Sequence, residues 1–123
     1  MAVVDIFNTD KKYNIIYADP PWQYNDRGVP GGAEQHYKTM TIDEIKQLPI
    51  NELAADNCIL FIWVTFPLLQ EGLDTIKAWG FEYKTIGFNW VKHNKHNLGW
   101  FLGIGNYTRS NPELCLIATK GDR

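Results

Sequence analysis

Residues 58–65 read Cys-Ile-Leu-Phe-Ile-Trp-Val-Thr, an apolar run with no charge in it. A run this short, rich in β-branched and aromatic side chains, predicts a central strand covered on both faces. Everything around it has to supply neighbours and covering layers. Residues 14–18, Asn-Ile-Ile-Tyr-Ala, predict a first buried strand, residues 83–91 a third and residues 113–119 a fourth. Thr41-Ile42-Asp43-Glu44 is a capping box, in which Thr41 caps a helix and Glu44 reaches back. That helix stops near Pro49, and a second short helix is expected over residues 51–55. Residues 67–79 place Leu68, Leu69, Leu73, Ile76 and Trp79 on one helical face, and Gly80 suits the position just past the helix. Strands alternating with helices predict an α/β fold with a mostly parallel sheet and flanking helices. The 123 residues are enough for one domain, and 45% hydrophobic content is enough for a core. No second domain, internal repeat or low-complexity tract is expected.

The first predicted strand runs directly into Asp19-Pro20-Pro21-Trp22. In open α/β sheets, ligands bind beyond the carboxyl ends of the strands. These residue types suit the holding of an amine on a planar ring. Such a nitrogen is a poor nucleophile because its lone pair is delocalised into the ring. Two acceptors pulling on its two N–H groups localise that pair. The Asp19 carboxylate is one acceptor and the Pro20 carbonyl is the other, since proline keeps its C=O while losing its N–H. Consecutive prolines fix φ near −65°, so the carbonyl is aimed at little entropic cost. Trp22 offers a flat face for a stacked base, worth about 1–3 kcal/mol. The competing explanation is structural: Asp-Pro and Pro-Pro both mark ordinary turns.

Other features carry less. His93 and His96 have H-x-x-H spacing, but zinc needs three or four ligands and no carboxylate or thiol lies close by, so no metal is expected. Cys58 and Cys115 lie in apolar runs and read as buried thiols. Residues 99–105 contain G-x-G without the strand–turn–helix context of a dinucleotide loop. Residues 23–40 form a long glycine-containing loop of the kind that serves function. Core packing is the default for Trp63, Trp79 and Trp90. The formal net charge of −2 argues against a broadly basic nucleic-acid binder. The local basic candidates are Lys92, His93, Lys95, His96 and Arg109. Arg109 and Glu113 either pair with each other or line a substrate site. No apolar run approaches the roughly 20 residues of a membrane span, and the first residues lack a secretory signal's charged and apolar regions. A cytoplasmic location, away from membranes, is therefore expected.

Taken together, Tyr17-Ala18-Asp19-Pro20-Pro21-Trp22, His36-Tyr37-Lys38-Thr39-Met40, Leu60-Phe61-Ile62-Trp63-Val64-Thr65, Ala78-Trp79-Gly80-Phe81, Asn89-Trp90-Val91-Lys92 and Tyr107-Thr108-Arg109-Ser110-Asn111-Pro112-Glu113 resemble the MT-A70-like family of adenine-N6 methyltransferases. The blocks stand in the family's order and cover nearly the whole chain. Ser110 and Pro112 depart slightly from the family's pattern before the glutamate. The resemblance implies a Rossmann-like methyltransferase fold and S-adenosylmethionine as methyl donor. It implies methyl transfer to N6 of adenine in DNA or RNA, and the small chain without appended domains tilts the expectation towards DNA. By the same resemblance Asp19, Pro20, Pro21 and Trp22 form the catalytic segment. Tyr24, His36, Tyr37, Lys92, Arg109 and Glu113 lie on the substrate side. Asp5 and Ile6, together with Asp19, lie on the cofactor side. The family's later Lys-Pro segment, Phe-Ala-Arg-like strand end and Trp-Gly-Asn-like segment do not occur in residues 1–123. The C-terminal part of the family domain, which builds much of the donor pocket, is therefore expected to be lacking. A chain missing sheet neighbours is expected to associate, with itself or with another subunit, through apolar strand edges. The alternative reading is a catalytically inactive fragment or subunit that binds nucleic acid or a partner chain. A further alternative is transfer to another amine, such as cytosine N4.

Overall fold

A computed structural model describes residues 5–23, 38–91 and 113–121. In chain order these contain β1 (Tyr13–Ala18), α1 (Ile42–Lys46), α2 (Ile50–Leu53), β2 (Ala54–Thr65), a 3-10 turn (Phe66–Leu68), α3 (Leu69–Ala78), β3 (Glu82–Trp90) and β4 (Glu113–Lys120). The sheet order is β1-β2-β4-β3. β1 runs parallel to β2, while β4 runs antiparallel to both β2 and β3. Three strands therefore share one direction, as a mostly parallel sheet requires. The fourth is reversed and lies between two of them, so the hydrogen-bonded pairs are mixed. β4 pairs antiparallel with β3, the strand that precedes it in the chain.

The helices pack on one face of this sheet. Cys58, Leu60, Ile62 and Val64 of β2 and Leu114, Leu116 and Ala118 of β4 are buried beneath them, with Ile45, Leu68, Ile76 and Trp79 from the helical layer. Contact between the layers is close at Gly72, where an added Cβ would lie 3.0 Å from a Val64 methyl. α3 ends as the sequence predicts. Gly80 adopts φ +85°, its N–H reaches the Lys77 carbonyl and the Phe81 N–H reaches the Ile76 carbonyl. Its start differs: residues 66–68 are a 3-10 turn, with Pro67 in the first turn.

The other face of the sheet is not covered among the described residues. The expectation that residues 58–65 are buried on both sides is thus met on one side only. Ile59, Phe61, Trp63 and Thr65 on the second face are half-exposed. β1, expected to be buried, is an edge strand there: Ile16 and Ala18 lean on the core while Tyr17 remains 68% exposed. Aromatic neighbours give this face its only described cover. Phe61 packs near Phe88 with centroids 6.4 Å apart, and Trp63 meets Trp90 edge-on at 6.3 Å. Trp79 is a core residue as expected, whereas Trp90 is 57% exposed at a strand end. Cys58 and Cys115 are buried and not joined in a disulfide, and burial pushes the Cys115 thiol's pKa up. No helix among the described residues is long and apolar enough to cross a membrane.

The capping box forms as read. Thr41 Oγ1 accepts the Glu44 N–H at 3.2 Å and Glu44 Oε1 accepts the Thr41 N–H at 2.9 Å. The backbone bond from Thr41, then its side-chain bond, hold the Glu44 carboxyl below the usual glutamate range. A depressed folded pKa means that the stabilisation is present above the ordinary glutamate value and is lost as pH falls through the lowered one. We expect Glu44→Gln to flatten that acid-side fall. Thr41→Ala should cost about 0.5–2 kcal/mol at neutral pH, read by urea denaturation. An unchanged urea midpoint in Thr41→Ala would refute the cap's role.

Candidate active site

β1 delivers Asp19 one residue beyond its last hydrogen-bonded position, where Ala18 faces Ile62 of β2. Asp19 is exposed, and among the described residues its carboxylate has no hydrogen-bond or ion-pair partner. The chain then turns inward. Pro20 is buried and Pro21 half-buried. Both proline carbonyls accept backbone hydrogen bonds: Trp22 N–H donates to Pro20 O and Met40 N–H donates to Pro21 O, each at 2.9 Å. Trp22 and Met40 form an isolated parallel bridge. Gln23 adds a side-chain bond to Thr39 Oγ1 at 3.4 Å. The segment after β1 is therefore tied to the residues just before α1. A carbonyl has two lone pairs, so Pro20 O retains one for a ligand.

Trp22 departs from its expected role. It is 7% exposed, belongs to the hydrophobic core and donates Nε1–H to the Trp63 carbonyl at 2.8 Å. Its ring faces are occupied by protein, so it offers no open platform to a base. The cause is tertiary: the turn at the prolines folds position 22 back under the sheet end, where an indole finds both apolar neighbours and an acceptor.

The sheet gathers other predicted residues at the same edge. Glu113 opens β4, facing Thr65 of β2 on one side and Trp90 of β3 on the other. Asp19 and Glu113 thus flank the end of β2. Exposed Tyr17 lies two residues before Asp19, and its hydroxyl accepts a hydrogen bond from Trp63 Nε1. Tyr24, His36, Tyr37, Lys92 and Arg109 lie outside the described residues, as do His93, Lys95, His96 and residues 99–105. Asp5 and Ile6 do not reach the described site through any hydrogen bond. Asp5 Oδ1 accepts the Phe7 N–H at 3.0 Å in a local turn, and Ile6 packs against the core. Asp5 is an exposed carboxylate, an acceptor of the kind that the hydroxyl groups of a nucleoside-bearing donor require, so its chemistry is compatible with S-adenosylmethionine. Among the described residues no cluster of three or more His, Cys, Asp or Glu could hold a metal. A cleft of about 450 Å³, lined by Lys12, Glu52, Asp56 and Lys120 among others, sits at the opposite end of the sheet from Asp19.

Sequence reasoning did not find Met40 or the Trp63 carbonyl as parts of this site. Both act through backbone atoms, which every residue carries, so the sequence holds no side-chain signal for them.

A family model described as MT-A70 matches residues 13–123. The chain is 36% identical over 131 residues to the Type II methyltransferase M.MunI of a Mycoplasma species, covering 90% of this chain and 52% of that protein. It is 32% identical over 112 residues to the human N(6)-adenosine-methyltransferase catalytic subunit METTL3, covering 90% of this chain and 18% of that protein. It is 32% identical over 120 residues to the Arabidopsis thaliana N6-adenosine-methyltransferase non-catalytic subunit MTB, covering 95% of this chain and 15% of that protein. The chain thus spans about half or less of the length of these relatives.

Proposed function

This chain belongs to the MT-A70 family, and from that premise we propose that it transfers a methyl group to the N6 amine of adenine in DNA, with S-adenosylmethionine as the donor. The observation that carries the reading is Asp19: an exposed carboxylate one residue past a strand end, beside a Pro20 carbonyl whose direction is fixed by an internal hydrogen bond. The greater identity to a Type II methyltransferase than to enzymes named for adenosine favours DNA as acceptor.

When bound, the donor supplies a methyl on a sulfonium, which is a good leaving group. Asp5 and Ile6 are the residues of this chain that would hold it. The target adenine has to leave its stack to reach a strand-end site. Asp19 and Pro20 O then accept the two N–H groups of the amine and turn its lone pair outward. Catalysis by these residues is orientation and desolvation. Asp19 is not required to be a strong base, because methylation itself makes the nitrogen's proton more acidic.

A second reading is a subunit that binds without catalysing. The resemblance to MTB, described as non-catalytic, favours it. One assay separates the two: incubation with methyl-labelled S-adenosylmethionine and adenine-containing DNA or RNA, followed by digestion to nucleosides. Label on N6-methyldeoxyadenosine is the expected result. Label only in RNA would overturn the acceptor, and binding of nucleic acid with no label in either would favour the second reading.

A further inference from the structure

Trp22 makes two of the hydrogen bonds that hold the segment after β1, and among Asp19, Pro20, Pro21 and Trp22 it is the one whose side chain is hydrogen-bonded to another strand among the described residues. Its indole N–H binds the Trp63 carbonyl of β2 at 2.8 Å, its amide N–H binds Pro20 O at 2.9 Å, and its bridge partner Met40 binds Pro21 O at 2.9 Å. The ring is buried, so stacking on a substrate base is closed to it. We propose that Trp22 is a positioning residue: its indole tether to β2 fixes where the amide of residue 22 lies, and through it the direction of the Pro20 carbonyl next to Asp19.

The physical basis is the weakness of the alternative restraints. The prolines fix φ, and Pro21 confines the ψ of Pro20 to the extended range, but that range still spans roughly 40°, so the ring pair narrows the direction of the Pro20 carbonyl without locking it. The amide of residue 22 holds Pro20 O in one orientation only while the residue itself is held. The indole bond does this from the strand whose end faces Asp19. A shift of about 1 Å in such a group costs on the order of a hundredfold in rate. This inference rests on the reading of Asp19 and Pro20 as the holders of an amine, and it predicts a result that a stacking role does not.

The test uses two replacements of Trp22 in the full chain. Trp22→Phe keeps an aromatic ring and removes the donor. Incorporation of β-(3-benzothienyl)alanine at position 22 keeps the bicyclic shape and removes only the N–H. Both should lower kcat by about 10–100-fold while changing KM for DNA less than about twofold, whereas a stacking residue would retain kcat in both. Hydrogen exchange followed by NMR gives a readout independent of turnover. The Trp22 indole proton should be protected in the unmodified protein. The Met40 amide should lose protection in both variants while the Leu60 and Leu116 amides keep theirs. An indole proton exchanging at the solvent rate, or a Met40 amide equally protected in the benzothienyl variant, would overturn the tether. Unchanged kcat in a variant, with turnover that still vanishes in Asp19→Ala, would overturn the positioning role and leave the function intact. Absence of methyl transfer by the unmodified chain would count against the function, and the exchange measurements would still decide the tether.

Discussion

Asp19→Ala will all but remove methyl transfer, lowering kcat by about 10²–10³, the range lost when one preorganised hydrogen-bonding group at a reacting centre is deleted. The side chain is exposed and free of partners among the described residues, so its loss leaves no buried group unsatisfied and no cavity. Stability should therefore change by less than about 0.5 kcal/mol, as for surface substitutions away from special features. That separation makes the experiment informative, because a folded protein without turnover isolates the chemistry of one carboxylate. Affinity for S-adenosylmethionine should fall far less than kcat, since the carboxylate's proposed partner is the acceptor amine. Asp19→Asn should be intermediate, because its amide oxygen still accepts one hydrogen bond but carries no charge. Turnover within a few-fold of the unmodified protein in Asp19→Ala would refute the assignment. Equal loss of turnover and donor affinity would make Asp19 a cofactor ligand instead.

Trp79→Ala is expected to have the largest effect on the fold. Trp79 is 2% exposed, and its Nε1–H donates to the Ile45 carbonyl at 2.9 Å. That bond joins the end of α3 to α1, a helix of 5 residues. A helix so short has no stability of its own and depends on tertiary packing. Truncating a buried tryptophan costs about 3–5 kcal/mol, and a carbonyl left without its donor adds about 1–3 kcal/mol. Against a total stability of about 5–15 kcal/mol, the sum is enough to abolish cooperative unfolding. Far-ultraviolet circular dichroism during heating should show a broad transition or a midpoint lowered by at least about 10 °C. Trp79→Phe, which keeps most of the apolar area, should recover most of that loss. A midpoint within about 2 °C of the unmodified protein in Trp79→Ala would show that α1 is held by other contacts.

The elements were legible in the sequence because their signals are local. The capping box at Thr41 and Glu44, the left-handed Gly80 after α3 and the apolar run of β2 each depend on residues a few positions apart, and each appears within a few residues of where the pattern puts it. So does the placement of Asp19, since a carboxylate directly after an apolar strand needs no tertiary information to be put at a sheet edge. Family membership was equally legible, because ordered blocks of residue types survive without coordinates. What could not be read was which face of each strand would be covered. An apolar run has the same sequence whether one layer or two lies against it, so Phe61, Trp63 and Tyr17 gave no sign that the described helices would all pack against the other face.

The same limit governs strand direction and Trp22. Nothing within residues 113–120 announces that β4 runs against β2 and β3, because pairing direction depends on where the connections lead and not on the strand's own side chains. An aromatic after two prolines can be a platform or an anchor with equal propriety. The difference is made by Trp63, 41 residues away in sequence, whose carbonyl stands 2.8 Å from the indole nitrogen. The sequence by itself determined the strand, the carboxylate at its end and the stiff prolines behind it. Only the tertiary structure decided that Trp22 points into the protein, because burial and hydrogen-bond partners belong to the packed chain and have no local code.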